Sequence, residues 1–145
     1  MNRLDTVSKE LSNKILNATN SKQKEVIINS CIYAVSKSQL DKLLISTILE
    51  EFKNENLQIC YKEKLEGMLE QYENEYFDMQ EAEEKGDCEK GKHLIPFGKA
   101  RTLSAILCCF DDDLAAASTE AVYEASMVSS DYEELLIIIE NTLSY

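Results

Sequence analysis

The chain has 145 residues, 44% of them hydrophobic, and carries a net charge of −12. This length suits one domain with a real core, and the hydrophobic share excludes the disorder that accompanies highly charged, weakly hydrophobic chains. The acidic balance works against nucleic acid and anionic membranes as partners and favours basic proteins.

Only four glycines and one proline interrupt the sequence, which favours helices over a turn-rich β fold. Leu4, Val7, Leu11 and Ile15 step by three and four, predicting a first amphipathic helix that closes near Asn17 to Asn20. Ser21 is the expected cap of a second helix with Val26, Ile27, Cys31 and Ala34 inward. Ser38-Gln39-Leu40-Asp41 has capping-box spacing and predicts a third, with Leu40, Leu43, Leu44, Ile48, Leu49 and Phe52 facing the core.

After a polar turn at Asn54 to Asn56, a fourth helix carries the most regular pattern. Leu57, Tyr61, Leu65, Met68, Tyr72, Tyr76 and Met79 form a heptad-like stripe. Between them lie Glu63, Glu66, Glu70, Glu73, Glu75, Asp78, Glu81, Glu83 and Glu84, with few compensating lysines. Acids near the C-terminal end oppose the helix dipole. Residues 86–98 hold three of the four glycines and the single proline, and are expected to form an irregular loop.

A fifth helix is predicted over about Lys99 to Phe110, with Leu103, Ile106, Leu107 and Phe110 inward. Asp111-Asp112-Asp113 breaks it and caps a sixth, Leu114 to about Val128, whose small inward residues Ala117, Ala121, Val122 and Ala125 suit a central position. Ser130 and Glu133 form a second candidate capping box, opening a last helix through Leu135, Leu136, Ile139 and Leu143. The predicted fold is therefore all-α: a single domain over 1–145, a bundle of about seven helices compatible with a helical-hairpin array.

Little in the sequence points to catalysis. The one histidine, His93, lies in the expected loop with no carboxylate at a telling spacing, and reads as a surface or packing residue. Five cysteines, an odd and scattered set without a CxxC, suggest reduced thiols in a cytoplasmic setting, Cys108 and Cys109 among them as core residues. No signal-peptide pattern opens the chain, and its longest aliphatic run, Leu135 to Ile139, is too short to span a bilayer. No metal or cofactor is expected. Glu63-x-x-Glu66 and Glu75-x-x-Asp78 look like the paired acids of magnesium-dependent, all-helical nucleotide pyrophosphohydrolases. On one helix they stand roughly 18 Å apart and cannot share an ion within one chain.

Charge is distributed unevenly. Residues 1–40 carry six bases against three acids, the remainder nine against twenty-four, and nine carboxylates follow the last base, Arg101. The basic N-terminal helices are expected to lie away from the acidic tracts. In size, acidity and helical architecture the chain resembles the immunity proteins of bacterial contact-dependent inhibition and related polymorphic toxin systems. That resemblance implies a non-enzymatic inhibitor that docks on a cognate toxin domain, often a basic nuclease. Charge complementarity makes Glu66, Glu70, Glu73 and Asp78 of the long helix, with Asp111, Asp112 and Asp113, the candidate partner contacts. Tyr72 and Tyr76 are candidate aromatic anchors among those acids. The alternative is a helical adaptor or homodimer that uses the Leu57–Met79 stripe as a coiled-coil seam.

Overall fold

The structure, a computed structural model, describes residues 2–144. Among these the chain forms seven α-helices, two short 3-10 turns and no strand. The helices are α1 (Lys9–Leu16), α2 (Asn20–Ser38), α3 (Lys42–Lys53), α4 (Cys60–Glu84), α5 (Leu94–Leu107), α6 (Leu114–Ser126) and α7 (Glu133–Ser144). None of them is long and apolar enough to cross a membrane.

Several boundaries differ from the sequence expectation, each through local hydrogen bonding. The first apolar stripe is divided between a 3-10 turn, Arg3–Thr6, and α1, because Asn2 and Asp5 close a capping box and Ser8 caps the next helix through the Leu11 amide. Leu4, Leu11 and Ile15 are buried all the same. Thr19, not Ser21, caps α2. Ser38 ends α2 instead of opening α3, with Gln39 in the left-handed region behind it. Asp41 is the α3 cap, a register that puts Leu40 just before the cap and Ile45 fourth in the helix. Both are buried, as in a hydrophobic staple. The same register turns Leu43 outward, 78% exposed. At α7, the bond to the Glu133 amide comes from Asp131, 3.2 Å away.

The loop expected over 86–98 ends at His93, and Leu94 to Gly98 belong to α5. Proline in a first turn forfeits an N–H that has no partner within the helix in any case. Pro96 therefore sits in α5 without cost, and the loop shortens to residues 85–93.

The core has two parts that share the same two helices. Ile27, Cys31 and Val35 of α2 pack with α3, with Leu65 of α4, with Leu103 and Ile106 of α5, and with Ala117 and Ala121 of α6. Val26, Tyr33 and Ala34 of α2 pack on the other side with Leu4, Leu11, Ile15, Leu135 and Ile139, and with Val122 and Ala125 of α6. The small residues of α6 let it approach α2 closely, as the sequence suggested. By contrast α4 buries one residue, Leu65, and packs chiefly on α5.

Ion pairs fasten the N-terminal segment to the acidic tail, correcting the expectation that these charges lie apart. Arg3 meets both Glu120 and Glu124, and Arg101 reaches Glu124 from α5 at 2.9 Å. The Glu124 side chain is 4% exposed. Lys14 pairs with Glu140 and Lys37 with Glu134 on α7. Ala121→Leu should force α2 and α6 apart and lower unfolding free energy by about 1–3 kcal/mol. Glu124→Gln should cost about 1–3 kcal/mol by leaving Arg101 without its carboxylate and Arg3 with Glu120 alone. Urea unfolding at constant slope measures both.

Candidate functional site

The fold divides the two acidic tracts by use. Of the nine carboxylates after Arg101, Glu120, Glu124, Glu134 and Glu140 are in ion pairs. Asp111, Asp113 and Asp131 accept backbone amides from Asp113, Ala116 and Glu133. Asp112 and Glu133 are left. On α4 the proportion reverses. Among the described residues Glu63, Glu66, Glu70, Glu73, Glu75, Asp78 and Glu84 have no ion pair or side-chain hydrogen bond, while Glu81 bonds Lys85 at 2.9 Å and Glu83 bonds His93.

The position of α4 explains the difference. Its inner stripe is covered by α5. Tyr61, Met68 and Tyr72 pack at the margin of the core around Leu65, Lys99 lies 5.4 Å from the Tyr72 ring centroid, and the Tyr76 ring packs tilted against Phe97, centroids 5.3 Å apart. Tyr72 and Tyr76 are thus half-buried and engaged within the chain. Glu66, Glu70, Glu73 and Asp78 are exposed on the outer sides of α4. Late α4 meets early α5 at Tyr76 and Phe97, so the helices run antiparallel. Asp111 to Asp113, beyond the end of α5, lie toward the Cys60 end of α4, roughly 20 Å along its axis from Glu75. Asp111–Asp113 are therefore not gathered with Glu73 and Asp78 into one patch.

The aromatic residue that does stand among the acids is Phe77, 60% exposed. It falls outside the apolar stripe, and that departure is its sequence signal. Its ring makes an edge contact with Tyr76 at 5.2 Å. A cleft of about 60 Å³ beside it is lined by Glu73, Tyr76, Phe97, Ala100 and Arg101.

Glu83 ties the end of α4 to the start of α5. Its carboxylate accepts from the Gly91 and His93 amides and contacts the His93 ring at Nδ1. This places a negative charge at the N-terminus of α5, where the helix dipole favours it. The His93 ring lies 5.6 Å from Tyr76, so the clamp also buttresses the outer end of α4. A carboxylate ten residues earlier in the chain is brought to His93 by the helix–turn–helix geometry alone.

Cys31 and Cys109 are buried and Cys108 is partly so, all as free thiols. The neighbouring Cys109 thiol, then burial, push the Cys31 pKa well up. Burial, then Cys109, pushes Cys108 up to about 12. Such thiols stay protonated and poorly nucleophilic. The Glu-x-x-Glu and Glu-x-x-Asp pairs both lie on α4, and among the described residues no three His, Cys, Asp or Glu side chains gather as a metal site.

No protein-family profile matches the chain, and comparison with curated proteins and with solved structures finds no significant similarity.

Burial works to raise the Glu83 pKa, but the Gly91 amide, the His93 ring and the His93 amide favour the carboxylate and bring it below its ordinary 4.5. Since the folded value is the lower one, the clamp contributes fully above about pH 4.5 and is lost as pH falls through the folded value. The amide resonances of Gly91 and His93 should shift together as pH falls through the folded Glu83 value. Glu83→Gln should abolish this transition in an NMR titration.

Proposed function

We propose that this chain is an acidic protein-binding inhibitor that docks on a basic protein through the outer side of α4. The observation that carries this reading is the segregation of charge. Seven of the nine tail acids are taken up by caps and ion pairs, whereas seven carboxylates of one outlying helix are in no ion pair among the described residues. Placing like charges along one helix lowers its stability, so their retention on an edge helix favours a role outside the fold.

The resemblance to toxin immunity proteins supplies the partner class: a cognate, basic, nuclease-type toxin domain. Carboxylates at Glu66, Glu70, Glu73 and Asp78 take the place of substrate phosphates on such a surface. Complementary charge also speeds encounter by orders of magnitude over neutral docking, which suits an inhibitor that must act before its target does. Asp112, exposed and unbonded, is the member of the aspartate run free to contribute at the far end.

The rival readings fit less well. The Leu57–Met79 stripe is occupied by α5, which leaves it unsuited as a seam between copies, and pairing the outer sides of two α4 helices sets acid against acid. For a pyrophosphohydrolase, the helix that faces the α4 stripe would have to bring carboxylates, and α5 presents Lys99 to Tyr72 instead.

Binding to a basic, nuclease-type toxin domain should weaken steeply as salt rises. Charge reversal at Glu70 and Glu73 together should reduce affinity at low salt by about tenfold or more, mostly through the association rate. Stopped-flow binding at several salt concentrations reads both effects. Affinity indifferent to salt and to the reversal would refute electrostatic docking through α4.

A further inference from the structure

The outer side of α4 has a pattern beyond its charge. Glu66, Glu70, Glu73, Phe77, Glu81 and Glu84 step by four, three, four, four and three, and all six are exposed. The inner stripe Tyr61, Leu65, Met68, Tyr72, Tyr76 and Met79 has the same steps, five residues earlier. Five residues turn a helix by about 500°, or about 140° beyond a whole turn, so the two rows follow opposite flanks of α4. The inner row meets a helix, α5. The outer row repeats the period with no element upon it among the described residues.

A row that keeps a period near 3.5 residues forms a seam along which a second helix can lie. A flat basic surface requires no such period. Phe77 interrupts the acids near the middle of the seam, 60% exposed, with the cleft lined by Tyr76, Phe97 and Arg101 at its side. Anchor residues of interfaces are typically large apolar groups ringed by polar contacts that exclude water.

We propose that this seam receives a basic amphipathic helix of the partner. Its Lys or Arg side chains lie against Glu66, Glu70, Glu73, Glu81 and Glu84, and one aliphatic or aromatic residue packs on Phe77 and the adjoining cleft. The inference rests on the reading of α4 as the partner-binding element and adds the shape of what binds. Charge complementarity selects the occupant: a second copy of this chain would present the same acids, and like charges across a seam oppose pairing. Glu81 exchanges its local partner Lys85 for the incoming base.

Two synthetic peptides of about 20 residues, long enough to follow the row from Glu66 to Glu84, test the proposal on the full chain. One carries Lys at heptad spacing around a single central Leu; the other is its scramble, with the same composition and the basic face dispersed. Titration calorimetry at about 50 and 200 mM salt gives affinity, and far-UV circular dichroism gives helix gained on binding. The patterned peptide should bind about tenfold more tightly than the scramble and gain helix as it does so. Phe77→Ala, a surface change whose own melting should match the parent, should remove most of that tenfold difference. Charge reversal at Glu70 and Glu73 should weaken both peptides.

Equal binding of the two peptides, or a Phe77→Ala variant that binds the patterned peptide within about twofold of the parent, overturns the helical-partner proposal. Either result leaves α4 standing as a face for basic proteins of other shape. Binding of neither peptide at low salt overturns both readings.

Discussion

Close contact between α2 and α6 is the constraint on which the other elements depend. Ala117, Ala121 and Ala125 recur every fourth residue and are buried, so the two backbones approach without large side chains between them. Each helix then has two flanks left for packing. On one flank α3, α4 and α5 complete the core around Leu65, Leu103 and Ile106; on the other, the N-terminal turn, α1 and α7 close around Leu4, Ile15, Leu135 and Ile139. Polar groups follow the same plan. Thr102 of α5 donates to the Ala34 carbonyl of α2, and the Tyr33 hydroxyl donates to the Asp131 carbonyl at the entrance to α7.

The same arrangement governs where charge is left over. Folding α6 and α7 against the N-terminal third brings the bases of that third to the acids of the tail. Glu124, nearly buried between Arg3 and Arg101, has a structural task. The exposed pairs Lys14–Glu140 and Lys37–Glu134 add little stability individually, yet they neutralise the tail locally. On α4, which lies outboard of α5, only Glu81 and Glu83 are paired among the described residues. The net negative charge of the chain is therefore expressed chiefly along one helix.

That helix is held at its ends by different means. Near its start the Tyr61 hydroxyl donates to Glu51 of α3 at 3.0 Å. At its far end, Glu83 gathers the loop and the first turn of α5, and the rings of His93, Tyr76 and Phe97 succeed one another behind Phe77. A surface positioned on a braced helix is better preorganised for a partner than one on a loop, since less conformational freedom is lost on binding. The exposed carboxylates and Phe77 thus sit on a rigid support.

Much of this architecture was legible from residue spacing alone. The all-helical class, the inward Val26, Ile27, Cys31 and Ala34, the Asp113 cap and the alanine face of α6 all follow from helical period and capping chemistry, which act within a few residues. The acidity and amphipathic stripe of α4 were equally plain. Tertiary structure decided what helical period cannot reach: that Glu83 meets His93 across the turn between α4 and α5. It also decided which acids are consumed. Glu124 and Glu70 are indistinguishable as residues in a charge count. One faces two arginines from distant parts of the chain and the other faces outward, because pairing of charges depends on packing across the fold and not on sequence distance.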